Sequence, residues 1–214
     1  MKTVEYSKIF TTGCDAPLKI REGHFASNHA HLNYYIDVTT LKTRAGEAKE
    51  IAKALCATYM NGLVIDTIVC MEGTDVIGAY LAEELTKSGF LSTNAHKTIY
   101  VVHPEPNSNS QLMFRDNLSM EIAGKNCMIL MASVTTAKTL NKVLECISYY
   151  GGKLAGISAL FSMIDEFDGE PIRAVFSKKD LPGYSAWDYR QCPYCRAGQK
   201  LDGLVNAYGY QALG

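Results

Sequence analysis

Cys127-Met128-Ile129-Leu130-Met131-Ala132-Ser133-Val134-Thr135-Thr136-Ala137-Lys138-Thr139-Leu140 is the segment on which the fold turns. Its first half is apolar without a break. A short apolar run of this kind predicts a strand buried on both faces, over Asn126–Ala132, as in a parallel sheet. Lys138–Tyr150 predicts a helix, ended by Gly151-Gly152. Ligands of parallel sheets gather beyond the carboxyl ends of the strands. A helix N-terminus placed there offers unpaired N–H groups and a partial positive charge, which suit a phosphate. The hydroxyls of Thr135, Thr136 and Thr139 add donors, and Lys138 either adds charge or points to solvent. The other reading of the threonines is plain helix capping.

The same alternation extends outward. Val64–Met71 reads as a second buried strand, Glu72-Gly73-Thr74 as a turn, and Asp75–Ser88 as a helix closed by Gly89. Upstream, Ile51, Leu55 and Tyr59 recur at helical spacing within Arg44–Asn61. Lys97–Val102, Lys153–Phe161 and Ile172–Phe176 predict further strands. His103–Asn117, with two prolines and a run of Asn and Ser, reads as a long polar loop. Strands alternating with helices make this an α/β fold with a mostly parallel central sheet. Residues 1–45 read as irregular and residues 181–214 as a tail of little periodicity, which leaves 46–180 as the core.

The 214 residues suffice for a full hydrophobic core. A net charge of -1 favours neither nucleic acid nor an anionic membrane as partner. No apolar run reaches the roughly 18 residues that span a bilayer, and the N-terminus lacks the apolar stretch of a signal peptide. The expected location is therefore the cytoplasm. The seven cysteines, an odd number, argue against a disulfide framework. Cys70, Cys127 and Cys146 sit in apolar patterns and read as buried small hydrophobes.

Cys192-Pro193-Tyr194-Cys195 has the spacing of half a structural zinc site. Cys14 with one of His24, His29 or His31, or residues of a symmetry mate, would complete four ligands. Free thiols and a redox pair are the alternatives.

The segment Cys127–Leu140 resembles the signature of the type I phosphoribosyltransferases: a hydrophobic strand, two acidic residues, then a Thr-Thr-Gly-x-Thr loop. The resemblance implies that Thr135, Thr136, Ala137, Lys138 and Thr139 grip the 5′-phosphate of phosphoribosyl pyrophosphate. Ala137 takes the place of the glycine, a modest change if its φ is negative. Gly23-His24-Phe25, Ser27-Asn28-His29-Ala30-His31 and Tyr34-Tyr35-Ile36-Asp37 resemble the N-terminal hood of orotate phosphoribosyltransferases, which implies Ser27, His29, Tyr34 and Tyr35 near a base. Glu72, Gly73 and Thr74 fall on the family's pyrophosphate loop. The loop His103–Asn117 falls on its flexible catalytic loop, with His103 and Arg115 as candidates. Cys192–Gly198 is similar to a Cys-Pro-x-Cys-x-x-Gly tail of some members. By the same resemblance the chain is a homodimer, takes Mg²⁺ with its ligand, and has the type I phosphoribosyltransferase fold.

Two departures bear on activity. Ala132 and Ser133 replace the acidic pair, which in the family holds the ribose hydroxyls. Hydrogen bonds to charged groups are worth about 1.5–3 kcal/mol each, so losing two weakens ribose binding by about two to four decades. His103–Gln111 contains no Lys or Arg, whereas a departing pyrophosphate needs fixed positive charge. The expectation is an orotate phosphoribosyltransferase-like glycosyltransferase of pyrimidine and nucleotide metabolism, weak or inactive in transfer. The alternative is a non-catalytic module that senses a nucleotide or phosphorylated ribose.

Overall fold

The computed structural model describes residues 6–28, 30–59, 62–87, 93–95, 98–206 and 209–213. The expectations for His29, for helix ends at Asn61 and Gly89, and for a strand start at Lys97 fall outside them. The chain opens with strands β1 (Ser7–Thr11), β2 (Cys14–Ala26) and β3 (His31–Asp37), then helices α1 (Thr39–Thr43) and α2 (Ala45–Ala57). β4 (Thr67–Cys70), α3 (Asp75–Thr86) and β5 (Tyr100–Val102) follow. A small hairpin, β6 (Glu105–Pro106) and β7 (Leu112–Met113), leads through α4 (Asp116–Ser119) to β8 (Asn126–Val134) and α5 (Lys138–Tyr149). Then come β9 (Lys153–Ser162), β10 (Glu166–Phe167), β11 (Glu170–Ser177), β12 (Ala186–Trp187), α6 (Pro193–Arg196), β13 (Gly203–Asn206) and β14 (Gly209–Ala212).

The central sheet has the order β10-β11-β9-β8-β4-β5. Every pairing in it is parallel except β10 with β11. Burial on both faces explains its composition. Met128 and Leu130 of β8 enter one core with Ile77 and Leu81 of α3 and Ile51 and Leu55 of α2. Cys127, Ile129 and Met131 enter the other with Leu140, Val143 and Ile147 of α5. Each such Leu or Ile contributes about 1.5–3 kcal/mol on burial. Cys70, Cys127 and Cys146 are buried as expected.

Two sequence readings need correction. Residues 6–28 and 30–45 are not irregular. Cys14, Ala16, Leu18 and Ile20 are all buried, each separated by one outward residue, so β2 is a half-buried strand with a period of two. Nor is the C-terminal stretch without structure. β12 pairs with β3 and β13 pairs with β2, so first and last segments build one sheet, β12-β3-β2-β13-β14, with β1 beside β2. Trp187 packs on Tyr194 at 5.8 Å, whereas Tyr189 is exposed. The polar stretch after β5 also has order: Asn107 Oδ1 accepts the N–H groups of Asn109 and Gln111, an Asn-built turn that closes the hairpin.

Gly78 lies inside α3 with its back to β4. A Cβ there would meet Cys70 Sγ and lie 3.0 Å from Val101 Cγ1. Gly→Ala within a helix ordinarily stabilises by about 1 kcal/mol. Here the sign reverses: Gly78→Ala is expected to destabilise by about 1–3 kcal/mol through overpacking. Urea unfolding reads this directly, and a stabilised variant would refute the packing of α3 on β4.

Candidate functional site

β4 and β8 are parallel neighbours, yet the helices that follow them cover opposite faces of the sheet. Chains diverging from adjacent strands open a crevice at a topological switch point. The loop after β4 and the loop after β8 meet there beneath the hood sheet. They enclose a cavity of about 310 Å³, within the range for small-molecule sites. Its floor is Glu72, Ala132, Ser133, Thr135, Thr136 and Thr139, and its roof includes Ser27, Tyr34, Leu32 and Asn206. No side chain caps α5, whose N-cap Ala137 has φ -72. The helix-terminal N–H groups keep no side-chain partner, and the negative φ shows why alanine serves in place of glycine.

The electrostatics of the floor come from two residues. Among the described lining residues, Glu72 is the one carboxylate and Lys42, from α1, the one ammonium. Glu72 has φ 59, uncommon outside glycine, and its Oε2 accepts the Ser133 N–H at 3.2 Å. Lys42 Nζ donates to the Glu72 carbonyl at 2.6 Å. Thr74 is fully buried, with Oγ1 donating toward the Met71 and Leu130 carbonyls at 2.9 and 3.1 Å. It therefore ties the loop after β4 to strand β8 and does not face the cavity. Burial pushes the Glu72 carboxyl above the usual glutamate range, against the pull of the Ser133 N–H and of Lys42. Burial likewise lowers the Lys42 ammonium.

The structure brings together Ser27, Tyr34, Tyr35, Glu72, Ala132, Ser133, Thr135, Thr136 and Thr139. Gly73, Thr74, Ala137 and Lys138 are not in the lining, and Lys138 is exposed. Tyr35 is largely spent on the hood core, stacked on Tyr210 at 5.5 Å, whereas Tyr34 is half-buried. His103 and Arg115 do not line the cavity. His103 Nδ1 is 2.8 Å from Asp75 Oδ1, and Arg115 donates twice to Glu105 Oε2. Lys42 escaped the sequence reading because it lies on α1, a one-turn helix read as irregular chain.

A second cluster lies at the edge of the hood. His24 Nε2 is 3.1 Å from His31 Nδ1, 3.4 Å from Cys192 Sγ and 3.6 Å from Cys195 Sγ. These ligand atoms all lie within 4.8 Å of one another, a set able to hold a metal ion. Cys14 is corrected out of this set. The alternation of β2 turns it into the core, where its Sγ is 3.6 Å from the Ala16 carbonyl. A second histidine takes its place. The irregular register between Glu22 and Phe25 is what sends the buried His24 to the cluster. A bulge at Gly23-His24 has no period to betray it.

No family model and no curated protein matches the chain. Solved structures do. UMP synthase of Leishmania donovani is 17% identical with a TM-score of 0.56, over 76% of this chain and 34% of that one. The chain thus spans about a third of that protein. The orotate phosphoribosyltransferase of Mycobacterium tuberculosis H37Rv, solved in complex with Fe(III) dicitrate, is 12% identical with a TM-score of 0.53, over 77% and 92% of the two chains. A phosphoribosyltransferase of Corynebacterium diphtheriae is 15% identical with a TM-score of 0.50, over 75% and 91%. At these identities the likeness is one of fold, and the mixed α/β fold with its parallel sheet is that of the type I phosphoribosyltransferases.

The raised Glu72 carboxyl fixes the sign of a pH effect. Above the ordinary glutamate value of about 4.3, the unfolded chain has released a proton that folded Glu72 retains. Stability from this group is complete below that value and is lost as pH rises through the higher folded one. Glu72→Gln removes this loss. As pH rises above about 4.3 the variant should gain thermal stability relative to the parent, and parallel profiles would assign the effect elsewhere.

Proposed function

We propose that this chain binds a phosphorylated ribose or nucleotide in the cavity beneath the hood. On this reading it is an orotate phosphoribosyltransferase-like protein whose transfer chemistry is attenuated. One observation carries the reading: a single cavity at a switch point holds a threonine-rich helix N-terminus and, across from it, one half-buried carboxylate. The first suits a phosphate, the second accepts hydroxyl donors, and a sugar phosphate offers both. Thr135, Thr136 and Thr139 would take the phosphate together with the N–H groups of α5. Glu72 would accept sugar hydroxyls with the oxygen not engaged by Ser133. Ser27 and Tyr34 would face the base.

Support comes from the fold shared with orotate phosphoribosyltransferase and with UMP synthase. Attenuation follows from Ala132 and Ser133, which leave Glu72 as the lone carboxylate among the described lining residues. It follows too from His103 and Arg115, which are paired outside the cavity. Lys42 brings to the lining a positive charge that His103–Gln111 does not. Mg²⁺ belongs with a diphosphate ligand, which brings much of the ion's oxygen shell itself. Glu72 is the carboxylate placed to assist, since Asp75 is engaged by His103. Zinc belongs with the separate His and Cys cluster. The same Ala132-Ser133 pair favours a second reading, a sensor with no turnover.

Calorimetric titration with ribose 5-phosphate, phosphoribosyl pyrophosphate and orotidine monophosphate, with Mg²⁺ and a parallel turnover assay, tests both. Binding of ribose 5-phosphate is expected, with turnover far below that of a working transferase. Thr135→Val with Thr139→Val should weaken binding about thirtyfold, at about 1 kcal/mol per hydroxyl bond. Lys138→Ala should change it less than about twofold. Turnover separates the attenuated enzyme from the sensor, and failure of all three ligands to bind would sink both.

A further inference from the structure

We infer that His24, His31, Cys192 and Cys195 bind one Zn²⁺ in a closed tetrahedral site that fastens the hood hairpin to the C-terminal segment. The inference rests on this cluster alone and is independent of what the cavity binds. Zn–N bonds of about 2.0–2.1 Å and Zn–S bonds of about 2.3 Å set tetrahedral edges of about 3.3 Å between nitrogens and about 3.6 Å between nitrogen and sulfur. The observed edges are 3.1 Å for the two nitrogens and 3.2, 3.4 and 3.6 Å for three nitrogen–sulfur pairs. Four soft or borderline donors this close hold one ion; the irons of a cluster would need a wider set.

The surroundings fit a ligand set. His24 Nδ1 lies 3.1 Å from the Gln199 carbonyl. A carbonyl only accepts, so Nδ1 carries the proton and Nε2 presents its lone pair to the cluster. Such an outer bond is what fixes the tautomer of a metal-binding histidine. His24 and Cys192 are fully buried, and the Tyr194 ring lies over His24 at 5.2 Å. Two imidazole lone pairs and two sulfurs converging under that cover repel one another unless a cation or protons intervene. With four protein ligands no position is left for substrate, so the role is structural.

The connectivity gives that role its content. His24 comes from the β2 bulge and His31 from the start of β3. Both cysteines come from the α6 turn, which follows β12 on β3 and precedes β13 on β2. One ion therefore ties residues 168 apart in the chain. Ala30 and Leu32, which flank His31, line the cavity roof. The ion fixes the roof from behind without entering the cavity.

The test uses the full chain purified under reducing conditions without added chelator. Metal analysis should give close to one zinc per chain. Exchange for Co²⁺ should give the visible bands of tetrahedral Co²⁺ and a thiolate-to-metal charge-transfer band. Cys195→Ser, at an exposed position, should weaken Zn²⁺ binding more than tenfold in a competition titration and remove one thiolate from the Co²⁺ spectrum. Cys14→Ser should retain both metal and spectrum. Chelation should lower the Tm of the parent more than that of Cys195→Ser. A folded parent without metal, a Cys192–Cys195 disulfide in its place, or a Co²⁺ spectrum without thiolate bands would overturn the proposal.

Discussion

The Met71 N–H donates to the Leu130 carbonyl at 2.9 Å, and Thr74 Oγ1 reaches the same carbonyl from the next turn of chain. This is where β4 ends beside Leu130 of β8, which runs on to Val134. Beyond it the chain leaves one strand for α3 on one face of the sheet and the other for α5 on the opposite face. The cavity exists because of that divergence. Glu72, held at positive φ, enters the gap from one side, and the Thr135–Thr139 turn enters from the other. A buried threonine whose hydroxyl serves two carbonyls keeps the gap at a fixed width, since any rotation would leave buried polar groups unmade.

The gap carries charges of both signs. The N-terminal end of α5 and Lys42 are positive, and Glu72 is negative. Burial works against both ionised side chains. Glu72 is drawn toward its neutral form, opposed first by the Ser133 N–H and then by Lys42, and Lys42 likewise, opposed first by Glu72. An anionic ligand at α5 would add to that balance by favouring the Lys42 ammonium. Glu72, in the loop after β4, faces that space. It also engages the Ser133 N–H.

The roof depends on a sheet whose strands come from both ends of the chain. β2 and β3 form the hairpin, and β12 and β13 clamp it from either side. Short edge strands hold few hydrogen bonds, so the clamp leans on packing: Arg21, Phe25 and Tyr35 gather on Tyr210, and Asp202 bonds the backbone of His24 in both directions. The four-residue His and Cys cluster sits at the seam between hairpin and clamp.

The central sheet was legible from residue order alone, because a strand buried on both faces must be continuously apolar and a helix beside it must repeat every three to four residues. Cys127–Ala132 and Ile51-Leu55-Tyr59 show those periods without any partner. The threonine turn was legible for the same reason, since it sits where a strand period gives way to a helix period. The alternation Cys14, Ala16, Leu18, Ile20 was equally present in the sequence and identifies β2 once a half-buried strand is sought. What the chain order could not show was which distant segments meet. Lys42 faces Glu72, His31 joins Cys195, and β13 completes the sheet of β2 only after the chain has wound through the core. Contacts of that kind have no local period. They are decided by the strand order and by a bulge at Gly23-His24, and so by the tertiary structure alone.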